Sequence, residues 1–101
     1  MKKKKIYDGI IFNLSIHTGK IKGRQVKREI IEHPGASSMI AFDEKNKLIL
    51  VRQHRFPHGF VLEIPAGTLE KKEKPVDCAF RELEEETGYS AKKMTPLITY
   101  Y

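Results

Sequence analysis

Residues 67–89, GTLEKKEKPVDCAFRELEEETGY, decide the reading of the fold, because their second half can be drawn as a helix with defined ends and two unlike faces. Pro75 suits a first helical position: its φ is already near the helical value and its missing N–H would have no intrahelical partner. Gly88 is the residue type that ends helices in a left-handed turn. Between them, a step of about 100° per residue puts Val76, Phe80, Leu83 and Thr87 on one stripe and Glu82, Glu85 and Glu86 roughly opposite. The spacing predicts a helix over 75–88 that packs with one side and presents three carboxylates on the other.

Most acidic runs on helices are solvated faces. Two costs weigh against that reading here. The carboxylates occupy the last turns, where the helix dipole is already negative, and Glu82 and Glu86 are like charges at i, i+4; each effect opposes the helix by some tenths of a kcal/mol, roughly. Only Arg81, four residues before Glu85, offers local relief. A bound divalent cation would remove both penalties, and hard cations such as Mg²⁺ select clustered carboxylate oxygens.

The spacing of Gly67, Glu73, Arg81, Glu82, Leu83, Glu85, Glu86, Gly88 and Tyr89 resembles the Nudix box, the signature of the Nudix hydrolase family, at every defined position. The resemblance implies an α/β/α sandwich with a mixed β-sheet, extending well beyond the box.

Working outward, 101 residues suffice for one small core. With 40% apolar and 32% charged residues the composition is that of a globular chain. The net charge of +6 is uneven: residues 1–62 carry 13 basic and 5 acidic side chains (+8), residues 63–88 carry 4 and 8 (−4). The lysine run at residues 2–5 supplies four of the positives, and without it only +2 remains, so nucleic-acid binding is weakly supported. Asp8 and Asn13 interrupt the apolar stretch that follows the lysines, and no membrane-length apolar stretch is present. The chain reads as cytoplasmic, and its single cysteine, Cys78, reads as a small buried side chain on the helix.

Alternation over residues 6–17, turn chemistry at Thr18-Gly19-Lys20 and renewed alternation over residues 22–33 predict an antiparallel pair. Residues 38–42 and 47–55 predict a hairpin about Asp43-Glu44-Lys45-Asn46, with Leu48, Leu50 and Val51 as core. Residues 60–64 read as a short strand, Pro65-Ala66-Gly67 as a tight turn, and residues 94–101 as a strand inside which the chain stops. Two parts are expected: an N-terminal β segment, 1–36, serving as a dimerisation or substrate arm, and a Nudix core, 37–101, incomplete at its C-terminus.

The flanking stretches RQVKREIIEHPGA (24–36), LVRQHR (50–55) and LEIPAG (62–67) are similar to the ADP-ribose pyrophosphatase subgroup. That resemblance implies Mg²⁺-dependent hydrolysis of the pyrophosphate bond of ADP-ribose to AMP and ribose 5-phosphate, with Mn²⁺ as a substitute metal, by a homodimer acting on a nucleoside diphosphate sugar. It implies that Glu82 and Glu86 are the principal metal ligands, joined by Glu85 and by the backbone carbonyl of Ala66. A turn before Gly67 would leave that carbonyl free of any strand ladder. Arg81, which cannot ligate metal, is implied to orient a glutamate and to complete the catalytic set with Glu82, Glu85 and Glu86; Glu73 braces the loop. Arg28, Arg55 and Thr68 are implied to bind substrate. The subgroup's additional glutamate, expected to act as general base, would lie beyond Tyr101.

The alternatives are a housecleaning nucleoside triphosphate or dinucleoside polyphosphate hydrolase, and a non-catalytic nucleotide-binding Nudix domain. The second is disfavoured because every box glutamate is present. His54 and His58 at i, i+4 suggest zinc, but Pro57 between them blocks the helix that would align them.

Overall fold

The alternating pattern of the N-terminal third yields three strands rather than two. In the computed structural model, which describes residues 1–101, β1 (Lys2–Asp8), β2 (Asn13–Ile21) and β3 (Arg24–Glu32) form an antiparallel meander in the order β1-β2-β3. The lysine run is itself a strand: Lys2 pairs with Thr18 and Lys4 with Ile16, with a register shift between Lys5 and Tyr7. Lysine is a poor strand former in general, yet at a sheet edge its charge is tolerated and discourages pairing with other chains. The expected turn at Thr18-Gly19-Lys20 is not formed. The chain reverses at Lys22-Gly23, both at positive φ (50° and 77°), with Ile21 opposite Arg24. A two-residue hairpin needs left-handed conformations at both central positions, and Gly23 supplies one without steric cost. Residues 9–12 form the other reversal, closed by Gly9 N–H donating to Phe12 O (3.0 Å) and leaving Ile10 and Ile11 exposed.

The chain divides into two units, Met1–Pro34 and Gly35–Tyr101. The second contains β4 (Ala36–Ser38), β5 (Val51–Arg55), β6 (Gly59–Glu63), β7 (Ala66–Thr68) and one helix, α1 (Pro75–Thr87). β4 pairs with β7 and β5 with β6, all antiparallel. The expected hairpin at residues 38–55 shrinks to a single bridge between Phe42 and Leu48. Its turn is closed by the Asp43 carboxylate, whose Oδ1 accepts from the Lys45 and Lys47 amides (2.9 Å each). Leu48 and Leu50, expected in the core, are exposed. Residues 94–101, expected to form a strand, form none.

The core of this unit is small. Met39, after β4, packs with Ala79 and Leu83 of α1 at 4%, 9% and 2% exposure, flanked by Ala41, Ala91 and Met94. The helix therefore buries Cys78, Ala79 and Leu83, while Val76, expected on the packing stripe, is exposed. The helix ends as expected: Pro75 opens it, and Gly88 at φ 75° closes it by donating its N–H to Glu84 O (2.9 Å). Two polar bonds fasten the helix start to the strand pair. Ser37 Oγ donates to Pro75 O (2.7 Å), and the buried Cys78 thiol lies 3.4 Å from Gly67 O. Burial raises the Cys78 pKa above the usual thiol value.

Candidate functional site

The strand β7, the loop 69–74 and the outward face of α1 meet at Arg81. Its guanidinium forks onto Glu73, Nε to Oε2 and Nη2 to Oε1, both at 2.8 Å. Its Nη1 donates to Glu82 Oε1 (2.8 Å) and to Glu85 Oε2 (3.0 Å), its Nη2 reaches the carbonyl of Thr68 (3.2 Å), and Glu70 Oε1 stands 3.7 Å away. Fork-on-fork pairing fixes the plane of both groups as well as their separation. The loop is closed on itself by a reciprocal pair: the Glu73 amide donates to Glu70 O, and the Glu70 amide donates to Glu73 Oε1 (3.0 Å each). Held by Arg81 and by that amide, the Glu73 carboxyl is pulled down to about 2. Arg81 is correspondingly raised above its ordinary value, chiefly by its bonds to Glu73.

Glu82 is the most enclosed of the helix carboxylates bordering this network, with its side chain 14% exposed. It lies so close over the backbone of Gly67 that a Cβ at position 67 would overlap its Cγ, Cδ and Oε1. The glycine of the signature is thus where a carboxylate needs the room.

Ala66 is in a strand, not in the turn expected, yet its carbonyl is still off the ladder. Met39 N–H donates to Pro65 O and Leu69 N–H to Gly35 O (2.9 Å each). In an antiparallel ladder those bonds make Ser37 and Gly67 the hydrogen-bonded pair and turn the Ala66 N–H and C=O away from β4.

The structure thus brings Arg81, Glu82, Glu85, Thr68 and Glu73 into one network. Glu86 is exposed and outside it. Arg55 is on β5, where its Nε and Nη2 grip both oxygens of Glu63 (2.8–3.1 Å), and the field of Glu86 also reaches it. Arg28 belongs to the N-terminal unit, on β3, its Nη1 bonded to Lys27 O (2.9 Å). Glu63 is a residue that the sequence reading missed. Alternation along the two strands does not set their register; with Arg55 opposite Gly59 and Val51 opposite Glu63, both side chains fall on one face of the hairpin.

No three acidic, histidine or cysteine side chains converge on one point. The chemistry of the donors nevertheless fits a hard divalent cation. Glu82 and Glu85 each give Arg81 only one carboxylate oxygen, Glu86 gives none, and a free backbone carbonyl stands beside Gly67.

A helix bearing these carboxylates, tied through arginine to a loop that follows a glycine-bearing strand, defines a Nudix domain, and the NUDIX domain family matches residues 32–101. The chain belongs to the Nudix family, with the α/β fold that membership implies. It is 45% identical over 101 residues to an ADP-ribose pyrophosphatase of Bacillus subtilis (98% of this chain, 55% of that protein). It is 43% identical over 102 residues to a methanol dehydrogenase activator of Bacillus methanolicus (99% and 55%), and 36% identical over 96 residues to an ADP-ribose pyrophosphatase of Mycobacterium tuberculosis (92% and 46%). The chain spans about half the length of these curated relatives. No helix is long and apolar enough to cross a membrane.

Proposed function

We propose that this chain is part of the catalytic machinery of a cytoplasmic Nudix pyrophosphohydrolase that cleaves ADP-ribose to AMP and ribose 5-phosphate with Mg²⁺ or Mn²⁺. The observation that carries the reading is the Arg81 network, which holds Glu82 over Gly67 and Glu85 beside it. Similarity to ADP-ribose pyrophosphatases supports the choice of substrate.

In this reading Glu82, Glu85, Glu86 and the Ala66 carbonyl hold the cation. When bound there, a divalent ion would supply positive charge against the pyrophosphate oxygens and would make water more acidic. The chain's own side chains do the positioning. Glu73 anchors Arg81, and Arg81 fixes the carboxylates of Glu82 and Glu85 so that little reorganisation is needed when substrate arrives. Arg55 keeps Nη1 free of Glu63 and offers it to phosphate or ribose oxygens, and Thr68 adds a substrate contact in the same unit; the role of Arg28 in substrate binding rests on the family resemblance alone. Residues 1–36 act as the dimerisation arm, a reading that sedimentation of the protein as a monomer would overturn.

The test is incubation with ADP-ribose, nucleoside triphosphates and dinucleoside polyphosphates, with and without Mg²⁺ or Mn²⁺, and separation of the products. AMP and ribose 5-phosphate released only with the metal is the expected result. Pyrophosphate from triphosphates with no AMP from ADP-ribose would move the protein to the housecleaning class. Absence of metal-dependent cleavage would leave a nucleotide-binding domain. The likeness to a methanol dehydrogenase activator favours a second reading, stimulation of a methanol dehydrogenase, checked by adding the protein to that enzyme's assay.

A further inference from the structure

The lysines of β1 divide by face. Side chains alternate along a strand, so Lys3 and Lys5 share one face of the meander, and Lys2 and Lys4 the other. The first two have carboxylate partners: Lys3 Nζ lies 2.8 Å from Glu32 Oε1, and Lys5 Nζ lies 3.6 Å from Asp8 Oδ2. Lys2 and Lys4 take part in no ion pair, and neither does Lys27 of β3, which the register brings to their side. Lys2 is opposite Thr18, and Thr18 is opposite Lys27, so two ammonium groups flank one hydroxyl in a row across three strands. In the next row Lys4 stands opposite Ile16.

These residues, with Ile6 and the stem of Lys3, line a groove of about 420 Å³. No carboxylate lines it; Glu29, on the same face, is opposite Ile16 and is not part of the lining. Edge position accounts for lysine on an outer strand. It does not account for three unmatched lysines gathered round one hydroxyl above an isoleucine floor.

We propose that this groove binds the phosphate group of a small phosphate ester: Lys2, Lys4 and Lys27 match its charge, the Thr18 hydroxyl donates to it, and Ile6 and Ile16 receive the apolar part of the ester. The site lies wholly within the N-terminal unit and does not depend on the acidic helix or its metal.

The dimensions agree with one phosphate. Neighbouring strands are about 4.8 Å apart, so the backbones at Lys2 and Lys27 are separated by about 10 Å, a gap that two lysine side chains leaning inward close onto a single anion. A phosphate monoester carries about −1.5 to −2 at neutral pH, which three ammonium groups can balance. Ile6, 48% exposed, and the partly buried Ile16 give apolar contact that a bare ion could not use. A groove this short has room for one small ligand, whereas a nucleic acid would need a longer row of phosphate contacts.

The test titrates the ¹⁵N-labelled protein with phenyl phosphate and with inorganic phosphate, in EDTA so that no metal recruits phosphate elsewhere, and follows the backbone amide shifts. Saturable shifts at Ile16, Thr18 and Lys27 are expected, with phenyl phosphate bound about threefold or more tightly than inorganic phosphate. Lys2→Gln and Lys27→Gln should each weaken phenyl phosphate binding by about threefold to fivefold, the range of an exposed charge pair. Thr18→Val should weaken it by a similar factor, about what one hydrogen bond contributes. Lys5→Gln removes the same charge from a lysine that already has a partner and should leave binding unchanged. Spectra that otherwise superimpose on the wild type confirm that each variant keeps its fold. The proposal is overturned by the absence of saturable shifts at Thr18, or by an equal loss in Lys5→Gln, which would reduce the effect to net charge. Inorganic phosphate bound as tightly as phenyl phosphate would overturn the ester and its isoleucine floor. A single-stranded oligonucleotide bound through the same lysines, with no binding of phenyl phosphate, would replace the small ligand by a polyanion.

Discussion

Gly67→Ala separates the role of the signature glycine in chemistry from any role in folding. Gly67 is not at positive φ, so alanine fits its backbone, and the substitution by itself should favour folding by about 0.4–1 kcal/mol through the unfolded chain. The three atoms nearest the added Cβ all belong to the Glu82 side chain, whose flexible carboxyl end must swing away and give up its bond to Arg81. One such bond contributes about 0.5–1.5 kcal/mol. The two effects nearly cancel, and the midpoint of thermal unfolding should move by no more than a few degrees, about what 1 kcal/mol shifts in a domain of this size. The site fares differently. A ligand displaced by about 1 Å costs about a hundredfold in rate, and Mn²⁺ affinity should fall with it. Thermal unfolding, Mn²⁺ titration and ADP-ribose turnover on the same preparation check the split. A variant that unfolds, or one that turns over within about threefold of the wild type, would refute the assignment of Gly67 as room for Glu82.

Two further predictions follow from the same contacts. The Glu73 carboxyl is depressed from 4.5 to about 2, so its stabilising effect is complete above about 4.5 and is lost as pH falls through about 2. Glu73→Gln should flatten the dependence of the unfolding midpoint on pH between those values, and parallel wild-type and variant curves would contradict the pairing. Leu83→Ala, at a position 2% exposed, should cost about 2–5 kcal/mol by urea unfolding, whereas Val76→Ala, 40% exposed, should cost within about 0.5 kcal/mol. The reverse order would restore the packing stripe drawn from the sequence.

The helix was legible because everything that defines it is local: Pro75 at its start, Gly88 at its end, and carboxylates three and four residues apart. Its rotation was not. A helical wheel fixes which residues share a face but not which face meets the strands; Met39 beside the β4–β7 pair selects Ala79 and Leu83 over Val76. In the meander, two glycines competed for one turn, and Gly23 took it because Lys22 also adopts positive φ there. The lysine strand β1 was hidden because edge position, which makes lysine acceptable, is a property of the sheet. In the site, the roles of Arg81 and Glu73 were implied by the resemblance to the Nudix box, while the Arg55–Glu63 pair depended on a register that only the folded hairpin defines.

The charges around α1 also explain how the helix carries its acidic face. Arg81 reaches Glu82 and Glu85 together, which eases the repulsion that makes such runs costly, but its single positive charge is already matched by Glu73. Arg55 is likewise matched by Glu63. Neither arginine therefore neutralises the helix; each is fixed in place by a carboxylate outside it, and the charges of Glu82, Glu85 and Glu86 remain uncompensated. An excess of negative charge, part of it fixed in place by Arg81, is the feature of this face on which the proposed cation site rests.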